Sequence, residues 1–158
     1  MVSWAILLRC SNLGKAILIV VVMVLWPAIA RAGANEDLLK ASERGDLPAV
    51  KRLLGQGAQV NVQNKDGDTA LILAVRRGYR GTAQELLAKG AEVNAKNKDG
   101  HTALMFAAWR GDQGIVQELL AKGAEVNAKA NSGATALRLA SMAGHREVAD
   151  LLARAGAK

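Results

Sequence analysis

The chain has 158 residues, 51% hydrophobic but only 3% aromatic, and 21 basic against 14 acidic side chains give a formal charge of +7. Arg9, Lys15 and Arg31 lie in the first 34 residues and no acid does, so from Asn35 onward the excess is only +4. That falls short of the dense basic footprint of a nucleic-acid binder, and so few aromatic rings leave little on which bases could stack.

Residues 1–34 read as a secretory leader. Arg9 and Lys15 supply a positive start, and Ala16 to Trp26 is an unbroken apolar run of eleven residues. Pro27 ends that run ahead of a stretch of small residues, with cuts expected after Ala30, Ala32 or Ala34. A membrane-spanning helix needs about 20 apolar residues, so no stable anchor is expected after processing. Cys10, the single cysteine, precedes the apolar run, which argues against lipidation. The processed chain then holds no cysteine and nothing that could mispair in an oxidising compartment. The expected location is the periplasm or outside the cell.

From Asn35 to Lys158 the chain copies itself every 33 residues. Gly45, Gly78, Gly111 and Gly144 mark the period, and Gly57, Gly90, Gly123 and Gly156 follow each at twelve residues. Such a period signals stacked units, none of which buries its apolar face alone. The units are 35–64, 65–97, 98–130 and 131–158. Unit one begins directly at a helix expected over Glu36–Arg44, with Asp46 placed to cap the next helix and Pro48 in its first turn. Its Glu36, Asp37, Lys40 and Glu43 give it the wettable outer side of an N-terminal cap.

Units two and three are complete. Asp66-Gly67 and Asp99-Gly100 supply turns, and Thr69, Thr102 and Thr135 stand where a hydroxyl caps a first helix. Leu71 with Ala74, and Leu104 with Ala107, share a helical face. Ala83, Leu86 and Leu87, then Val116, Leu119 and Leu120, are the inward residues of the second helices. Gly81 and Gly114 weaken those helices by about 1 kcal/mol each relative to Ala. Unit four, with Arg138, Arg146, Asp150 and Arg154, suits a C-terminal cap.

Gly67-Asp68-Thr69-Ala70-Leu71, Gly78, Leu86-Leu87 and Gly90-Ala91-Glu92-Val93-Asn94 resemble the ankyrin repeat, and the next unit repeats the match. The resemblance covers about Asn35 to Lys158. It implies an all-α solenoid of helix-turn-helix units joined by short β-hairpin loops, and a role in protein–protein interaction. The family's Pro is replaced by Ala70, Ala103 and Ala136. Its His is replaced by Ile72, Met105 and Arg138, which leaves open what takes over the hydrogen bonds that His makes between repeats.

Catalysis is not expected. His101 and His145 stand at non-equivalent positions in different units, no serine has a histidine at a motif spacing, and no Cys/His cluster suits a metal. His145 occupies the family's structural Gly-His position. Asn64-Lys65-Asp66-Gly67 misses the spacing of a calcium loop and reads as a turn. No cofactor is implied.

By the same resemblance, contact positions flank the turn glycine and close the first helix. The tips are Lys65, Asp66 and Asp68, then Lys98, Asp99 and His101, then Asn131, Ser132 and Ala134. The helix ends are Glu43 and Arg44, Arg76 and Arg77, Trp109 and Arg110, and Met142 and Ala143. Arg44, Arg77 and Arg110 recur at one position and are expected in a row beside Arg76 and Trp109. A tryptophan amid arginines suits a binding hot spot, with the arginines steering encounter with an acidic surface. The same pattern also fits a Trp109 packed between repeats and arginines that solvate helix ends. The preferred expectation is an exported, non-enzymatic protein that binds another protein through its concave face, stabilising or inhibiting it. A secreted effector or toxin-like protein, acting outside the producing cell, is the alternative.

Overall fold

The computed structural model describes residues 33–158. The expected leader, apart from its last two residues, lies outside that range. Eight helices follow in pairs among the described residues: α1 (33–44) with α2 (Leu47–Gly55), α3 (Ala70–Arg77) with α4 (Arg80–Ala88), α5 (Ala103–Arg110) with α6 (Gln113–Ala121), and α7 (Ala136–Met142) with α8 (Arg146–Arg154). The loops between pairs stay short of true strands; Gln63 and Thr69 form one isolated antiparallel bridge.

Local chemistry sets the helix starts. Thr69, Thr102 and Thr135 accept from the N–H three residues on, at 3.2, 3.4 and 3.3 Å. Asp46 and Asp112 do the same for α2 and α6, at 3.0 and 3.1 Å. Each such cap contributes on the order of 1 kcal/mol by satisfying a donor the helix itself leaves open. Helix α1 is already formed at residue 33, ahead of Glu36, and two residues before Glu36 are tied down. Ala34 packs against the core, and Asn35 Oδ1 accepts from Gln59 N at 2.8 Å.

First helices stack on first helices, and second on second: α3 on α5 on α7, α2 on α4, and α6 on α8. One continuous apolar core results, running through Leu38, Val50, Leu71, Leu86, Leu104, Leu119 and Leu152. Leu120 is only partly buried against it. Ile72 and Met105, in the family's His position, are each 1% exposed, so an apolar contact takes the place of a side-chain hydrogen bond there. The polar ties between units move elsewhere. Lys98 N donates to Asp66 O and Asn131 N to Asp99 O, both at 2.9 Å, joining successive hairpins. On the return side Asn61, Asn94 and Asn127 accept from Glu92 N, Glu125 N and Lys158 N at 2.8, 2.8 and 2.9 Å.

A further inter-unit contact forms at the turn between paired helices. Gly78 closes α3 with φ of 83°, a left-handed angle that costs glycine nothing. It also leaves room for the Arg110 guanidinium, which a side chain at position 78 would strike. The Tyr79 ring covers Gly45 and the His145 ring covers Gly111 in the same way. This is why Tyr79 and His145 sit at helix starts without capping them.

Candidate functional site

Hairpin order begins with asparagine. Asn64 Oδ1 accepts from the N–H groups of Asp66 and Asp68, and Asn97 Oδ1 from those of Asp99 and His101, all within 2.9–3.1 Å. The Asn97 amide then donates to Asp68 Oδ1 at 3.0 Å, tying the turn at Asn97–His101 to the one at Asn64–Asp68. The other Asp68 oxygen takes Nη1 of Arg76 at 2.7 Å. Arg76 is thereby held with its guanidinium carbon 5.8 Å from the centre of the Phe106 ring, within reach of a cation–π attraction. His101 packs against the same ring, with the centroids 5.5 Å apart and the planes tilted by 42°.

These groups wall a notch of about 290 Å³ lined by Arg76, His101, Met105, Phe106, Trp109 and Leu139. It spans three units: Arg76 from unit two, Leu139 from unit four, and the rest from unit three. Its lining is apolar apart from Arg76 and His101, and Trp109 is 56% exposed at its edge. Small-ligand clefts run from roughly 300 to 1,000 Å³ and are mostly apolar with a few placed polar groups. The notch stands at the lower edge of that range, and no carboxylate is among its lining residues. Among the described residues no three His, Cys, Asp or Glu side chains gather to hold a metal.

Three of the residues singled out by sequence meet in this notch: Arg76, His101 and Trp109. Met142, 73% exposed, holds the position of Trp109 one unit further on. Lys65 and Lys98 are exposed at hairpin tips, with Lys65 beside a separate hollow formed with Asn35, Leu39 and Val62. Asp68 requires a correction. At 1% exposure it is sealed beneath Arg76 and Asn97 and offers a partner nothing, serving instead to position Arg76.

The three recurring arginines also diverge. Arg77 turns back to Glu43 at 2.8 Å, and this hydrogen bond holds the Glu43 carboxyl below its ordinary pKa and raises that of Arg77. Arg110 points between units, its Nη1 donating to the Arg76 carbonyl at 3.2 Å. Arg44 is exposed, with no ion pair among the described residues. Phe106 and Leu139 were not anticipated. Both fall at the position of Leu73, which is buried, so the repeat reads them as core.

Comparison with known proteins agrees with the architecture. The family model for ankyrin repeats in three copies matches residues 38–130, more than half of the chain, and one for many copies matches residues 111–153. Two Rickettsia felis proteins named for ankyrin repeats are similar. One is 39% identical over 52 residues, 33% of this chain and 82% of its own length; the other is 41% identical over 44 residues, 28% and 67%. The chain therefore belongs to the ankyrin-repeat family, whose repeats are scaffolds for protein–protein interaction.

Proposed function

We propose that this is an exported ankyrin-repeat protein, working in the periplasm or an equivalent secretory compartment, that grips another exported protein through the notch between units two and four. The partner inserts apolar side chains beside Trp109 and presents an acidic patch to the surrounding cations. Stabilising or inhibiting that partner is the role that fits. The observation that carries the reading is a large exposed indole next to an apolar notch whose arginine wall is already fixed in place.

Trp109→Ala tests it. With the indole more than half exposed, folding stability should move by less than about 0.5 kcal/mol. Capture of the partner from a periplasmic extract should be lost, at a cost of roughly 2–4 kcal/mol in affinity. Capture that survives Trp109→Ala removes this surface from consideration. Export is tested separately by N-terminal sequencing of the cellular protein, expected to begin at Arg31, Gly33 or Asn35; retention of Met1 overturns that part.

A further inference from the structure

Units one and three carry the same triplet at the turn after their first helices, Arg44-Gly45-Asp46 and Arg110-Gly111-Asp112. In unit three the triplet docks onto unit two. Arg110 lies over Gly78 and donates to the Arg76 carbonyl, while Asp112 pairs with Arg80. Unit one has the same donor half with nothing set against it among the described residues: Asp46 caps α2 as Asp112 caps α6, and Arg44 is exposed.

Unit four carries the matching acceptor half. Met142, Gly144 and Arg146 hold the positions of Arg76, Gly78 and Arg80. Gly45, Gly78 and Gly111 are each covered by a side chain of the following unit, but a Cβ at Gly144, with φ of 78°, would meet nothing within 4 Å. Gly144 floors a shallow hollow of about 390 Å³ together with Ser141, Arg146, Ala149 and Asp150, and Arg146 is exposed. A second pair of positions is also complementary. Asp37 is exposed where Ala70, Ala103 and Ala136 are buried between units, and Arg138 is exposed where Ile72 and Met105 are buried.

We propose that a second copy of this chain stacks its unit one on unit four of the first, head to tail, with Arg44 over Gly144 and Asp46 against Arg146. The junction repeats a contact the chain already makes internally, and opposite charges set its register. Among the described residues unit one brings no hairpin, so the backbone bonds that join Asp66 to Lys98 and Asp99 to Asn131 have no counterpart there. The junction is held by its helical layer alone and is weaker than any step within the chain. Pro48 stands where Gly114 gives Arg80 room, so the flexible Arg146 side chain must give way at the junction; Glu147 fills the same position in unit four, opposite Gln113, and α8 still packs on α6. A heterologous contact of this kind does not stop at two copies; it extends into a row unless the rotation closes a ring.

Sedimentation velocity over a concentration series tests this, on the chain as recovered from the producing cells. The sedimentation coefficient of the natural sequence should rise with concentration. Arg146→Glu and Arg44→Glu, both at exposed sites, should each abolish the rise at unchanged helicity, and Asp46→Lys should do so at some cost in stability from the lost cap. An equimolar mixture of Asp46→Lys and Arg146→Glu chains should regain the rise. The new lysine of one variant then meets the new glutamate of the other, while the Asp46 and Arg146 that each retains meet in turn. Trp109→Ala should leave the rise untouched, which separates this surface from the notch. A natural chain that stays monomeric overturns the proposal, as does association indifferent to Arg146→Glu. A mixture of well-folded variants that fails to recover overturns the head-to-tail arrangement in favour of a symmetric pairing. Should Asp46→Lys not fold, the Arg44 and Arg146 variants decide alone.

Discussion

Units two and three share Lys-Asp-Gly, Thr-Ala-Leu and Gln-Glu-Leu-Leu-Ala-Lys-Gly-Ala-Glu-Val-Asn-Ala, yet one first helix runs out in Arg76-Arg77-Gly78-Tyr79 and the other in Trp109-Arg110-Gly111-Asp112. That short difference redistributes every job at this edge. Where unit two lays the Tyr79 ring over the preceding glycine, unit three has Asp112 in the ring's place and sends Arg110 to cover Gly78 instead. Arg77, relieved of that duty, turns out to Glu43. At the hairpin, unit two buries Asp68 while unit three leaves His101 half-exposed against Phe106. Equivalent positions in a repeat thus share a location without sharing a task, and the notch opens where unit three's choices meet unit two's arginine.

The sharpest break in that comparison is Asp68→Ala against His101→Ala. Removing the buried carboxylate leaves the Asn97 amide and Arg76 without their acceptor and should cost about 2–3 kcal/mol in urea unfolding. The histidine change should stay within about 0.5 kcal/mol. Asp68→Ala should also weaken partner capture, because Arg76 loses its fixed place over Phe106. A smaller effect is expected from the pair Asp112→Ala and Tyr79→Ala. The first removes a cap and an ion pair and should lower stability by about 1 kcal/mol. The second loses no cap, since α4 has none from its side chain, and should act only through the uncovered Gly45.

The smallest effect is electrostatic and belongs to unit two's outward arginine. In the folded chain Glu43 sits below its ordinary value of 4.5, chiefly through the Arg77 hydrogen bond. Its contribution is therefore present above pH 4.5 and is lost as the pH falls through the lower folded value. The pair is largely exposed and screened, so the loss should be slight. Comparing urea midpoints at neutral and acidic pH for the natural chain and Glu43→Gln measures it: the gap between them should close on acidification. A gap that widens contradicts the assignment.

The period alone made the stacked architecture legible, and the threonine and aspartate caps were legible because a cap acts within three residues. Other features escaped because they act across a whole repeat. Asp68 looked like an exposed tip residue until Asn97, 29 positions later, folded over it. Phe106 was not singled out; it shares its repeat position with buried Leu73, yet its ring lines the notch. The arginine row was correct as spacing and all three side chains are exposed, but they do not share a partner: Arg77 meets Glu43 and Arg110 the Arg76 carbonyl.

Asn61, Asn94 and Asn127 each clasp the backbone of the following return loop, and among the described residues no comparable clasp ties together units that are not neighbours. Under tension applied at the two termini, such a molecule would yield one link at a time, from an end inward, and could recover the same way while its middle units stayed stacked.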